Sequence, residues 1–363
     1  MKITDVEVIQ LVKSSDHPHR NAKQARSRRV ASIVRVTTDE GIDGLGEAWC
    51  NAPLAEAVVL GQLKPQIVGQ DPFNVEGIWR QLYDGAAMYD PKGAAVAGIS
   101  GIDMACWDIM GKALGVPVCK LIGGFNRAWI PAYASDLHWQ ENPADMARLA
   151  ASFVERGFKK VKTHVGVDPD DDVRRVRALR EAIGPDVGLM VDINTAFDRP
   201  TAIRFGRRIA EYDITWYEEP LSPMDLDGLA VIRESTGIPI ATGENEYTRY
   251  GFRDLIATGA VPILNADAKV LGGITEFMKV AALAQAHDLH IAPHGSQDIH
   301  VSLVSSISNG LLLEFHRDST NPLWQKAYKS PLSLNDDGTV SPPEVPGAGI
   351  DPNYEVLNQY RVA

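Results

Sequence analysis

The sequence predicts an α/β chain: a parallel barrel of eight strands preceded by a smaller α+β domain. Three observations carry that expectation. Apolar runs ending in acidic or basic side chains recur every 20 to 28 residues from His164 to Glu314, close to the roughly thirty residues of a βαβ unit. The runs are mostly apolar rather than alternating, as strands are when both faces are covered. Residues 1–125 follow another pattern, β-branched runs and then helical periodicity.

At 363 residues the chain has room for both units. Its net charge of −11 lacks the basic footprint that nucleic acid or an acidic membrane surface requires. Cys50, Cys106 and Cys119 show no CxxC spacing and cannot all pair, which suits a reducing compartment. The N-terminus has no long apolar run before a small-residue cleavage site, and no stretch approaches the roughly 20 apolar residues of a membrane span. The expectation is a cytoplasmic protein with neither nucleic acid nor membrane as partner.

In chain order, residues 3–12, 31–37 and 42–49 read as an antiparallel meander, with a turn at Asp39-Glu40-Gly41. Residues 13–29 read as a polar loop rich in basic groups: His17, His19, Arg20, Lys23, Arg26, Arg28 and Arg29. Such a loop is either a solvated surface or a lid over an anionic substrate. Residues 55–63, 72–82 and 94–114 have helical spacing. Asp103 and Asp108 lie on the last of these beside Trp107 and read as structural carboxylates. Gly123-Gly124 closes the first domain (1–125).

The barrel (126–330) opens with a strand at 130–135 and a helix at 142–156. A strand at 159–164 and a helix at 169–183 follow, with Asp168 as N-cap, Pro169 in the first turn and Asp170, Asp171 and Asp172 against the helix dipole. Strands at 187–192, 214–218, 239–243, 262–267, 290–294 and 311–314 complete the eight. The Pro/Gly/Asp-rich tail (331–363) reads as an arm returning to the first domain.

In such a barrel the chemistry sits at the C-terminal ends of the strands. Asp192, Glu218 and Glu244 end three successive strands. A single carboxylate there is most simply an N-cap, but three in step repel one another unless a cation intervenes. With oxygen donors only and no nearby Cys, that cation is Mg²⁺ by preference, Mn²⁺ being possible. Asn194 and Glu219 are placed to hold the ligands. Asp267 and His294 end the next two strands and would form a carboxylate–imidazole pair suited to proton transfer. Lys162 and His164 share one face of an opposite strand, with Lys160 deeper, and Glu314 closes the ring beside His294. A Lewis acid between two proton-transfer groups suits abstraction of a proton next to a carboxylate, through a metal-stabilised enediolate.

The segments SGIDMACWD (100–108), VKTHVG (161–166), VDIN (191–194), WYEEP (216–220), TGEN (242–245), NADAKVLGGITE (265–276) and APHG (292–295), with Glu314, resemble the enolase superfamily, mandelate racemase subgroup, over essentially the whole chain. The resemblance implies an N-terminal α+β capping domain on a modified TIM barrel, (β/α)7β. It also implies Mg²⁺ on Asp192, Glu218 and Glu244, an Asp267–His294 dyad, and capping loops near 13–30 and 49–55 that close over the substrate. His19, Arg20 and Trp49 in those loops, with Asn194, are then the candidate substrate contacts. A homo-oligomer, dimer to octamer, is implied as well.

One departure matters. Gly166 sets the register so that His164 stands where the family's racemases and many of its dehydratases carry a second Lys. Imidazole has an ordinary pKa of ~6.5 against ~10.4 for an amine. Asp267 stands where the muconate-cycloisomerase branch carries Lys. The expected reaction is dehydration of an acid sugar, an aldonate or aldarate, to a 2-keto-3-deoxy acid. A racemase, epimerase or lactone cycloisomerase would use the same groups, and a metal-dependent sugar isomerase is the reading from another class.

Overall fold

The computed structural model describes residues 1–124, 126–316, 323 and 328–362. The side chains of residues 15–18, and so the imidazole of His17, lie outside the described set.

Strands β1 (Ile3–Arg20), β2 (Ala25–Thr38) and β3 (Asp43–Glu47) form an antiparallel sheet in that order. The expected loop at 13–29 is instead the outer half of the β1–β2 hairpin. Pairing runs on through Lys13↔Arg29 and Ser14↔Arg28, shifts register, and resumes at His19↔Arg26. The outer half is polar on both faces, so no alternation betrays it, yet the backbone ladder continues. The turn is made by Asn21, whose Oδ1 accepts from the amides of Lys23 (3.0 Å) and Gln24 (2.8 Å).

Ala94–Leu114 forms the expected helix and lies against β3. Close approach requires glycine: a Cβ at Gly44 would stand 2.0 Å from the carbonyl oxygen of Ala105, and one at Gly46 2.1 Å from that of Gly101. The preceding helices are Ala52–Val58, a π-helical turn Val59–Leu63, Lys64–Ile67 and Val75–Ala86. The helical stretch expected at 55–63 therefore begins at Ala52 and runs on through the π-helical turn to Ile67. The fourth begins after Pro72, at the residue following Asn74.

Eight parallel strands follow: β4 (Ile130–Leu137), β5 (Lys160–His164), β6 (Gly188–Asp192), β7 (Ile214–Glu218), β8 (Ile240–Thr242), β9 (Ile263–Leu264), β10 (His290–Ile291) and β11 (Leu313–Phe315). They pair in sequence from β4 to β10, β11 lies beside β4, and a parallel bridge between Ile291 and Gly310 closes the circle. The helices between them are Pro143–Glu155, Pro169–Ile183, Arg199–Ile209, Leu226–Thr236, Thr248–Ala257, Gly273–Gln285 and Gln297–Ser306. Asp168 caps the second, accepting from the amides of Asp170 and Asp171. β9 and β10 are shorter than the expected 262–267 and 290–294, because the chain leaves the ladder before Asp267 and His294.

Tyr133, Met190, Trp216, Ala241, Ile263, Ala292 and Leu312 fill the barrel axis and form a dry floor beneath the strand ends. A second apolar shell joins the outer faces of the strands to the helices. The tail does two things. Its strand β12 (Thr339–Val340) pairs antiparallel with β4, which the sequence reading did not include. It then returns to the N-terminal unit, where the Ala348 amide donates to Asp108 Oδ1 (2.8 Å) and the Val362 amide to the Gln10 carbonyl (2.9 Å). Among the described residues, no helix is long and apolar enough to cross a membrane.

Candidate active site

Parallel register sets the first half of the site: His164 pairs with Asp192, and Asp192 with Glu218, so three strand tips stand level. Lys162 lies two residues down the same face and is 0% exposed. Its Nζ donates to Glu218 Oε1 (2.5 Å) and reaches Glu314 Oε1 (2.9 Å), with Asp192 Oδ2 at 3.9 Å. Burial works against the ammonium, but Glu218 and Glu314 outweigh it and hold Lys162 well above its ordinary value. Glu218 is also fixed from below by the Trp216 indole N–H (2.7 Å).

His164 lies at the tip. Its Nδ1 is 3.0 Å from Asp192 Oδ2 and 3.3 Å from Asn194 Oδ1, and its Nε2 is 3.2 Å from the Ser135 carbonyl. Both ring nitrogens face acceptors, a setting for the imidazolium. Burial opposes that charge, but the Asp192 contact prevails and raises the pKa. Asn194 completes this corner, donating to Asp192 from its amide nitrogen (2.9 Å) and its backbone N–H (2.7 Å).

The opposite side is the Asp267–His294 pair. His294 Nδ1 donates to Asp267 Oδ2 (3.0 Å), while Asp267 Oδ1 accepts from the Lys269 amide (2.8 Å). His294 Nε2 faces the mouth, 3.7 Å from Glu244 Oε2. Burial would lower the His294 pKa, yet Glu244 and then Asp267 raise it to about 10. Burial would raise that of Asp267, yet Lys269 and His294 bring it to about 2. Glu314 spans the two sides, accepting from Ser135 Oγ and from the Gly295 amide (2.6 Å).

The three expected metal ligands reach this mouth without forming a ready-made cluster. Among the described residues, no three acidic, His or Cys groups are disposed to hold a metal ion. Glu218 is engaged with Lys162, Asp192 with His164, and Glu244 turns toward His294. The donor set still fits a hard divalent cation. All the donors are oxygens, and Glu244 Oε2 is a buried carboxylate oxygen with no hydrogen-bond partner. Such an atom is costly unless a cation takes it.

The tight turns after the strands carry strain. Asn194 (φ 48°), Thr195 (φ 59°), Glu219 (φ 40°) and Ser296 (φ 43°) are left-handed residues other than glycine, each costing about 1–3 kcal/mol. They turn the chain sharply enough to present the strand-end side chains to one mouth.

The N-terminal unit covers two flanks. Over β4–β6, the Lys23 ammonium donates to Thr195 Oγ1, and the His19 ring lies tilted 4.5 Å from His138, itself stacked 4.8 Å from His164. The Arg20 guanidinium lies 4.4 Å over the Trp139 ring. Over β9–β10, Trp49 stands edge-on to His294 at 6.2 Å, and the Lys269 ammonium lies 4.0 Å from its ring centre.

Sequence reasoning assigned no role to His138, His316, His300 or Lys269. His316 follows Glu314 at strand spacing and stands 3.8 Å from its carboxylate, so period-two parity would have found it. His300 accepts from the Ala268 amide (3.1 Å) and donates to the Gly295 carbonyl (2.8 Å), bracing both dyad loops. No local pattern marks His138 or Lys269.

Polar groups ringing the C-terminal mouth of a capped eight-stranded barrel define an α/β-barrel enzyme. The chain belongs to the enolase superfamily, mandelate racemase subgroup. Residues 3–123 match the mandelate racemase / muconate lactonizing enzyme N-terminal domain, and residues 145–356 the enolase C-terminal domain-like family. It is 34% identical over 379 aligned positions to a D-galactarolactone cycloisomerase of Agrobacterium fabrum, covering 100% of this chain and 99% of that one. It is 32% identical over 339 positions to an arabinonate dehydratase of Saccharolobus solfataricus, covering 90% of each. Among solved structures, a racemase from Streptomyces coelicolor A3(2) with bound magnesium superposes with a TM-score of 0.93 at 31% identity, over 99% of this chain and 100% of that one. The protein is an enzyme of lyase or isomerase type, related to acid-sugar dehydratases and cycloisomerases.

Proposed function

We propose that the protein dehydrates an acid sugar, an aldonate or aldarate, to a 2-keto-3-deoxy acid. The observation that carries this reading is the pair of imidazoles on opposite sides of one carboxylate-lined mouth. Elimination needs two proton carriers, one for the α-proton and one for the departing β-hydroxyl. Asp192, Glu218 and Glu244 would hold Mg²⁺, with Mn²⁺ as a substitute, and the ion would supply a Lewis acid beside the substrate carboxylate.

His164 is the better base of its face. Lys162 is pinned beneath by Glu218 and Glu314, whereas His164 stands at the strand tip and is 8% exposed. His164 takes the α-proton, the Cα–H electron pair forms the double bond, and the β C–O bond breaks. His294, held by Asp267 with Nε2 toward the mouth, protonates the leaving hydroxyl, which departs as water. The resulting enol ketonises to the 2-keto acid. Residues 1–125 act as the cap, with the hairpin over His164 and Trp49 over His294. Asn194 keeps Asp192 and His164 together.

The test is incubation with an acid-sugar library and Mg²⁺, read by 2-keto acid formation. The expected result is turnover of at least one member, lost in His294→Asn. No turnover across the library, or turnover untouched in His294→Asn, refutes the proposal. A second reading, lactone cycloisomerase, is favoured by the whole-length likeness to the Agrobacterium fabrum enzyme. Its signature would be a ring-opened keto acid isomeric with the lactone, with solvent deuterium at the former β-carbon and no loss of water.

A further inference from the structure

Lys269 is a buried ammonium that the proton-transfer scheme does not use. Its side chain follows the dyad carboxylate by two residues, and the residue is 2% exposed. Nζ stands 3.6 Å from Glu47 Oε2, 4.0 Å from Asp267 Oδ2 and 4.0 Å from the centre of the Trp49 ring. Glu47 belongs to β3 of the capping sheet and Asp267 to the barrel. Trp49 is the capping residue edge-on to His294. One charge therefore touches a cap carboxylate, the dyad carboxylate and the ring covering the dyad.

The arrangement is costly without Lys269. Glu47 Oε2 is buried with no hydrogen-bond partner, and burial pushes that carboxyl up to about 7 even with the ammonium opposing. His300, at 3.5 Å from Asp267 Oδ1, cannot replace Lys269 as the counter-charge. Its Nε2 accepts from the Ala268 amide and its Nδ1 donates to the Gly295 carbonyl, so the ring is held neutral. The Trp49 amide, 3.5 Å from the Lys269 carbonyl, fixes the same strip of cap to the same strip of barrel through the backbone.

We propose that Lys269 is a positioning residue: by bridging Glu47 and Asp267 beneath Trp49, its ammonium couples the seating of the cap to the orientation of His294. The inference rests on the dehydratase reading only where turnover is the readout. Lys269 does not touch substrate. Its effect reaches the reaction through Asp267 and through the wall that Trp49 forms beside His294.

The test is a double-mutant cycle on the full-length protein with Lys269→Met and Glu47→Gln. Lys269→Met is expected to lower kcat ten- to a hundredfold with KM within threefold, and Lys269→Arg to recover part of the loss. The double variant is expected to be no slower than Lys269→Met alone, because Glu47 acts through the ammonium. A second readout needs no turnover: the ¹⁵N resonances of the His294 ring, assigned by their disappearance in His294→Asn, should shift in Lys269→Met. Unchanged ring resonances in a Lys269→Met protein with native circular dichroism would overturn the proposal. So would effects of the two substitutions on kcat that multiply. If the wild type turns over no acid sugar, the dehydratase reading fails, and the resonance experiment still decides the role of Lys269.

Discussion

Replacing Asp267 by Asn isolates the dyad with almost no change of shape. Asp267 Oδ1 accepts from the Lys269 amide at 2.8 Å, and Oδ2 accepts from His294 Nδ1 at 3.0 Å. An amide has one oxygen and one NH2 to share between those places. Turning NH2 toward the Lys269 amide would set donor against donor, so the oxygen stays there and NH2 faces His294. Nδ1 must then accept, which sends the ring proton to Nε2. In that tautomer His294 is a neutral donor at the mouth. As an acid it would have to form an imidazolate, and as a base it has no lone pair there. Positioned acid–base groups contribute roughly 10²- to 10⁴-fold, so kcat should fall about a thousandfold, or about 4 kcal/mol of transition-state stabilisation. KM should change little, since Asp267 is fully buried and touches no substrate. Steady-state assays of 2-keto acid formation measure the first effect, and ¹⁵N-histidine spectra report the tautomer directly. A kcat within tenfold of wild type, or an Nδ1 that remains protonated, would refute the reasoning.

Chelation of divalent cations should abolish turnover, and Mg²⁺ or Mn²⁺ restore it. At about a hundred times Kd, Mg²⁺ should also add roughly 2.7 kcal/mol to stability, visible as a higher melting temperature in Mg²⁺ than in EDTA, and proton release on binding should appear by calorimetry in buffers of different ionisation enthalpy. Gly166→Ala places a side chain at φ 108°, with Cβ 3.0 Å from that of Ala22 at the hairpin tip; a cost of about 1–3 kcal/mol and a KM raised several-fold are expected from denaturation curves and kinetics. Asp103 is buried, with Oδ1 unpartnered, and burial pushes its carboxyl from 3.8 up to about 7 against the opposing Thr275 hydrogen bonds. Its folded-state pKa is raised, so its stabilisation is complete below about pH 4 and lost as pH rises through about 7, of order 4 kcal/mol. Asp103→Asn should flatten that dependence, measured by urea unfolding at about pH 5 and about pH 8.

Where pattern and packing agree, the fold was legible. The strand at 214–218 and the helices at 94–114 and 169–183 stand at the bounds the periodicity predicts. The β1–β2 hairpin was not legible beyond residue 12, because period-two alternation exists only where one face is buried and residues 13–29 are polar apart from Pro18, Ala22 and Ala25. Asp267 and His294 ended their runs as expected, but the ladder stops at Leu264 and Ile291. In the site, the spacing of charged strand ends located Asp192, Glu218, Glu244, Asp267, His294 and Glu314. It carries no information on which carboxylate takes which cation. Lys162 reaching Glu218 and Glu314 across the barrel, and Lys269 reaching Glu47 across the cap, are contacts between residues 56, 152 and 222 positions apart.

Those contacts set the chemistry through charge balance. The mouth gathers Asp192, Glu218, Glu244, Asp267 and Glu314, and burial, with Asp192 and Glu314 nearby, pushes Glu218 up to about 8 against the opposing Lys162 ammonium. His164 and His294 are both held toward the charged form, by Asp192 in one case and chiefly by Glu244 in the other. Two imidazolium ions cannot both serve an elimination, which needs one ring to accept a proton while the other gives one. Asp192, Glu218 and Glu244 would hold a divalent cation, which would supply Lewis acidity, and Asp192 and Glu244 are the carboxylates that hold the two rings toward the charged form. His294 has a second carboxylate partner in Asp267, which Lys269 helps to keep ionised, whereas Asp192 is the main partner of His164. In the proposed dehydration that asymmetry suits His294 to the acid and His164 to the base.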